Sequence, residues 1–145
     1  MIFTRFCVSV WYYLRMTDRD VALLAATAAK ASGLDLLVLF GSRARGDGNA
    51  RSDWDVGYLA SAEFDPDTLL ASLVRAVGND RVDLVDLARA GGLLRYRAAR
   101  DGRVVFERAP QIFARYWLDA VDFWCDASPI IQRGYDRVLA DIGLE

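Results

Sequence analysis

With 145 residues, 54% of them hydrophobic, the chain has material for one domain with a packed core and little for a second. A formal net charge of -2 excludes a nucleic-acid binder that relies on a broad basic surface, although local basic patches remain open to it. Histidine is absent, which removes Ser-His and Cys-His nucleophile pairs and makes a conventional zinc site a poor fit, so carboxylates are the natural acid/base groups.

Residues 1–15 read as a peripheral N-terminal extension and residues 16–145 as a single domain. Phe6 to Leu14 is apolar and aromatic, yet far short of the roughly 20 residues that span a bilayer. Arg15-Met16-Thr17-Asp18 is no secretory cleavage site. A packing strand or a membrane-surface contact is the rival reading of this segment. Cys7 and Cys125 lie far apart and make no metal-ligand spacing, so they are expected as reduced thiols in a cytoplasmic protein.

Thr17 with Asp20 resembles a helix cap, and Val21, Leu24, Ala25 and Ala28 recur at helical spacing until Gly33 stops the helix. The unbroken apolar run Leu36 to Phe40 then predicts a buried strand. At its end stands Gly41, which leaves room for backbone to approach a ligand, and then Ser42, whose hydroxyl and N–H suit an anion at a helix start. For Ser42 a plain turn or cap is the alternative. Arg43 to Arg45 is expected as a short helical turn, followed by the turn residues Gly46-Asp47-Gly48-Asn49.

Ten residues after Ser42 come Asp53 and Asp55. On a strand their side chains project from one face, about 6.6 Å apart at roughly 3.3 Å per residue, close enough to share a pair of divalent ions. Trp54, Val56 and Tyr58 alternate with them as the core face, and Gly57 on the acidic face is expected to leave space for a ligand. The next helix is marked by Asp65 as cap, Pro66 at its first position, Leu69, Leu70, Leu73, Val74 and Val77 on one side, and Gly78 at its end.

Arg81 to Leu87 is the third strand, and its aspartates Asp83 and Asp86 must face opposite sides if it is regular, so only one can join the other acids. A helix from about Leu93 to Arg100 leads to a short strand, Val104 to Phe106. The rest is helical: Ile112, Phe113, Tyr116, Trp117, Ala120, Val121 and Trp124 form a broad apolar stripe, and Pro129 is expected to begin another helix carrying Ile131, Tyr135, Val138 and Ile142. The stripe is read as core, with a partner contact as the alternative. The pattern gives an α/β (α+β) protein: a small mixed sheet flanked by helices, with helices at the C-terminus.

The spacing Gly41-Ser42, ten residues, Asp53-Trp54-Asp55 resembles that of the DNA polymerase β-like nucleotidyltransferases. The fuller wording, Leu39 to Asp47 with Val82-Asp83-Leu84-Val85-Asp86-Leu87 and Arg100-Asp101-Gly102-Arg103-Val104-Val105, is similar to the minimal nucleotidyltransferases, the antitoxin half of HEPN/MNT toxin-antitoxin pairs. The resemblance implies the polymerase β-like fold, two Mg²⁺ ions held by Asp53 and Asp55, and ATP whose β and γ phosphates are cradled by Gly41 and Ser42. Asp83 matches the third carboxylate, which helps hold a metal and takes or orients the proton of the attacking hydroxyl; Asp86 takes its place if the strand bulges. Arg43 and Arg45 are expected to neutralise phosphate charge.

The same resemblance implies transfer of AMP to a tyrosine of a cognate HEPN ribonuclease toxin, with that toxin as partner in a hetero-oligomer and neither membrane nor nucleic acid as direct partner. Two other readings are carried beside it: a small-molecule adenylyltransferase of the aminoglycoside type, and a nonenzymatic antitoxin that masks its partner.

Overall fold

A computed structural model describes residues 19–49 and 51–141. The expectations for residues 1–15 and for the Thr17 cap lie outside the described residues. In chain order the elements are α1 (Arg19–Ala28), β1 (Leu34–Phe40), α2 (Gly41–Arg45), β2 (Trp54–Ala60), α3 (Pro66–Val77), β3 (Val82–Asp86), α4 (Gly92–Asp101), β4 (Arg103–Glu107) and α5 (Ile112–Asp141). The strands form one sheet in the order β3-β2-β1-β4. β1 pairs antiparallel with both β2 and β4, whereas β2 and β3 run parallel, so the sheet is mixed.

The apolar run of β1 is explained by its place: it is central, and both faces are covered, so six of its seven residues are buried. The exception is Asp35, which pairs with Arg108 just beyond β4. That charge hid the true start of the strand, which begins at Leu34, two residues before the apolar run predicted it. On one face, α1 and α3 close over Leu37, Leu39, Trp54 and Val56, burying Val21, Leu24, Leu69 and Leu73. On the other, α4 and α5 cover Leu36, Val38 and Phe40 with Ala98, Ala99, Tyr116 and Ala120. At about 1.5–3 kcal/mol for each fully buried large aliphatic side chain, these two layers supply the main drive to fold.

α3 follows the sequence signals closely: Asp65 caps it by accepting from the Asp67 N–H, Pro66 opens it, and Gly78 ends it at φ 65°. Pro129 departs from its prediction. It lies inside one continuous 30-residue helix, α5, and does not begin a second. A proline removes a single backbone donor, and here the helical turns on both sides carry the chain across that gap.

Candidate active site

The acids are gathered where β1, β2 and β3 end or begin together. In the register, Phe40 stands opposite Asp55, and Asp55 opposite Asp83 on the parallel neighbour. Paired residues project from the same side of a sheet, so Asp55 and Asp83 share a face, the one covered elsewhere by α4 and α5. Asp53 is the residue just before β2 and is exposed, so it approaches Asp55 from the strand entry. Asp86 is opposite Tyr58 on the other face; its carboxylate accepts from the Ala88 N–H and pairs with Arg89. Of the two candidates for the third acid, the geometry therefore brings Asp83, not Asp86, beside Asp55.

Burial pushes the Asp55 carboxyl above its ordinary pKa, the charges of Asp83 and Asp53 push it further, and Arg45 pulls the other way. The charges of Asp53 and Asp83 thus bear on Asp55 in a half-covered corner. Among the described residues no three His, Cys, Asp or Glu side chains converge into closed metal-ligand geometry. The hard oxygen donors of Asp53, Asp55 and Asp83 suit Mg²⁺.

Gly41 connects the acids to the turn. It opens α2 at φ 69°, and a Cβ built on it would lie 2.0 Å from Asp55 Oδ2. Any side chain here displaces that carboxylate. Phe40, the residue before α2, supplies no side-chain cap to the first N–H groups of α2. Ser42 is half-buried in this turn, and its carbonyl accepts from the N–H groups of Asp47 and Gly48, which folds the following loop back.

Arg43 and Arg45, expected as a pair on phosphate, are placed differently. The Arg43 guanidinium donates to the Ser52 carbonyl through Nε (3.0 Å) and Nη2 (2.8 Å) and lies 4.2 Å over the Trp54 ring. It ties the loop leading to Asp53 onto β2. Arg45 stays half-exposed, 3.3 Å from Asp47, and its charge reaches both Asp55 and Asp101. A second clamp holds the strand entry: Arg81 donates to the Arg51 carbonyl at 2.7 Å, and Trp54 N–H to the Arg81 carbonyl at 2.8 Å.

The expected space at Gly57 is filled. A Cβ there would sit 2.7 Å from Leu87 Cδ2, and Leu87 is fully buried. The glycine admits the core side chain that floors the acidic face. Composition gave no sign of this, because Leu87 follows β3 and its partner is set by the parallel pairing. At the end of α4, Arg100 binds Asp101 with two hydrogen bonds, at 2.8 and 2.7 Å, and holds its carboxyl below the usual range. A groove of about 800 Å³ between α1 and α3, lined by Lys30, Ser61, Phe64 and Arg75, opens on the face opposite the acids.

Residues 23–111 match the family described as polymerase beta, nucleotidyltransferase. The protein adenylyltransferase MntA of Aphanizomenon flos-aquae (strain 2012/KM1/D3) is 34% identical over 110 residues, 68% of this chain and 72% of that protein. A chain in the crystal structure of a toxin-antitoxin with AMP-PNP superposes with a TM-score of 0.69 at 24% identity, covering 84% of this chain and 99% of that one. A chain from the tri-AMPylated Shewanella oneidensis HEPN toxin in complex with MNT antitoxin superposes with a TM-score of 0.63 at 24% identity, covering 82% and 98%. At this identity the two structures establish the fold.

Proposed function

Because the chain belongs to the polymerase β family of nucleotidyltransferases, and is thereby an enzyme of nucleotidyl transfer, we propose that it moves AMP from ATP to a tyrosine hydroxyl of a HEPN-type toxin and so acts as its antitoxin. The observation that carries this reading is the meeting of Asp55 and Asp83 on one face, beside a glycine whose added Cβ would lie 2.0 Å from Asp55 Oδ2. The AMP-PNP and AMPylated-toxin complexes of similar chains support the choice of ATP and of a protein acceptor.

In this reading Asp53 and Asp55, with Asp83, would hold two Mg²⁺ ions. When bound, the ions would supply charge neutralisation on the triphosphate and acidify the attacking hydroxyl. Gly41 and Ser42 cradle the β and γ phosphates at the uncapped start of α2, and Arg45, half-free beside Asp55, draws off phosphate charge. Arg43 fixes the loop that aims Asp53. The tyrosine oxygen bonds to the α-phosphorus as the bond from that phosphorus to the bridging oxygen breaks. Its proton passes to Asp83, and the electron pair leaves with pyrophosphate. Among the described residues no helix is long and apolar enough to cross a membrane.

The test is incubation with the HEPN-type protein encoded in the neighbouring reading frame, ATP and Mg²⁺, followed by intact-mass spectrometry. AMP added to one tyrosine or more, abolished by chelation and by Asp53→Ala or Asp55→Ala, is the expected result. Inhibition of the toxin without any AMP, unchanged in both variants, replaces this reading with masking, and AMP on an aminoglycoside instead replaces the acceptor.

A further inference from the structure

We propose that Arg81 is a positioning residue: it ties the loop bearing Asp53 to the strand bearing Asp83, and so fixes the span across which the two acids would share a metal. This rests on the proposed reading of these aspartates as metal ligands. Asp83 is held in the β3 ladder, opposite Asp55, whereas Asp53 precedes β2 and takes no part in either of its pairings. What sets Asp53 in place lies outside the ladder.

Arg81 holds the chain on both sides of that acid. Its Nη1 donates to the Arg51 carbonyl at 2.7 Å, two residues before Asp53, and its own carbonyl accepts from the Trp54 N–H at 2.8 Å, one residue after. The backbone from which it reaches is itself anchored. The N–H groups of Gly78 and Asn79 both donate to the Val74 carbonyl at the end of α3, and Asn79 Oδ1 accepts from the Arg81 N–H at 2.9 Å. Arg81 stands one residue before β3 and two before Asp83, so a shift of the Asp53 loop away from β3 breaks its bond.

The loop is stiffened where it is held. Asn49 accepts from the Arg51 N–H through its side chain at 2.8 Å and from the Ser52 N–H through its carbonyl at 3.0 Å, while Ser52 Oγ accepts from the Asn49 N–H at 2.9 Å. Arg43 fastens Ser52 toward β2, the strand of Asp55; Arg81 fastens Arg51 toward β3, the strand of Asp83. Mg²⁺ demands near-ideal octahedral geometry, and a ligand that has first to be ordered binds it less well. Charge and position act here with opposite signs. Losing a positive charge two residues from Asp83 favours a divalent cation, whereas releasing Asp53 disfavours it.

The experiment follows Mn²⁺ binding to the full chain, without nucleotide, by electron paramagnetic resonance of the free ion. The parent is compared with Arg81→Met, which keeps the stem and loses the donor, with Asp53→Asn, and with the two combined. Arg108→Ala, at an exposed arginine just beyond β4, controls for lost charge, and circular dichroism checks folding. Arg81→Met is expected to bind Mn²⁺ about fivefold less tightly, the scale of one hydrogen bond from a charged donor, and to lower kcat by a similar factor with the ATP KM within twofold. The combined variant is expected to match Asp53→Asn alone, and Arg108→Ala to match the parent. Mn²⁺ binding by Arg81→Met within twofold of the parent, or tighter, overturns the proposal. So does a loss that persists in the Asp53→Asn background, or an equal loss in Arg108→Ala, since Arg81 then does not act through Asp53. If Mn²⁺ binding follows the expected pattern but the parent transfers no AMP to the HEPN-type protein, the positioning role stands and the proposed reaction falls.

Discussion

Gly41→Ala separates the two demands placed on the residue between β1 and α2. The first is conformational: φ is 69°, in the left-handed region, where an alanine costs roughly 1–2 kcal/mol. For a chain of this size that lowers Tm by about 2–8 °C. The second is local. The new methyl carbon would lie 2.0 Å from Asp55 Oδ2, whereas ordinary contact begins about 3.4 Å, so the carboxylate must retreat by more than an ångström. Displacement on that scale at a reacting centre costs on the order of 100-fold in rate. Gly78→Ala is the control, because it has φ 65° with nothing within 4 Å of the added carbon and sits at the end of α3. Thermal denaturation and single-turnover AMP transfer are measured for both. Both variants are expected to lose similar stability, and Gly41→Ala alone to lose about 100-fold in transfer. Transfer within threefold of the parent in Gly41→Ala refutes the claim that this glycine exists to seat Asp55.

Asp55→Asn is expected to abolish transfer yet raise Tm by a few degrees at neutral pH in metal-free buffer, because it removes an ionised carboxyl from a place that penalises ionisation. The sign follows from the raised pKa: the folded state binds the proton more tightly, so the parent loses stability as pH rises from 3.8 through the folded value, and the variant's advantage vanishes below that window. Arg43→Ala is expected to destabilise by about 1–2 kcal/mol, from the lost bonds to Ser52 and the lost stacking on Trp54, and to lower kcat. Arg45→Ala should instead raise the ATP KM at unchanged Tm; an Arg43→Ala protein with parental Tm contradicts this division. Tyr116 donates to the Arg95 carbonyl at 2.8 Å, and burial pushes its hydroxyl up to about 12. Folded protein therefore holds that proton between pH 10 and 12 while unfolded chain releases it, so stability falls as pH rises through this range. Tyr116→Phe should cost about 1 kcal/mol at neutral pH and show a shallower alkaline decline in urea unfolding.

What the sequence made legible depended on whether the signal was local. α3 could be read from end to end because its cap, its opening proline, its apolar side and its closing glycine act within a few residues of one another. Gly41, Ser42, Asp53 and Asp55 could be read because the turn and the strand entry belong to one short stretch of chain. The choice between Asp83 and Asp86 turned on which residue of β3 stands opposite Asp55, a matter of pairing between strands that alternation alone leaves open. Gly57 failed for the same reason. A glycine among acids reads as room for a ligand until the parallel strand delivers Leu87 against it.

The arginines show a further limit, and it bears on how such a site is built. Arg43 and Arg45 differ by two positions in a five-residue helix, so they leave it in opposing directions, about 200° apart. One therefore points back to Ser52 and Trp54, and the other out beside Asp55 and Asp101. Sequence supplies two identical charges; the turn makes one a fastener and leaves the other in an exposed pair with Asp47. The loop matters because Asp53 lies outside the strand ladder and has no sheet pairing of its own to hold it. Its placement then depends on Arg43 from one side and Arg81 from the other, so the weakest held of the three acids is positioned by side chains that need never touch the nucleotide.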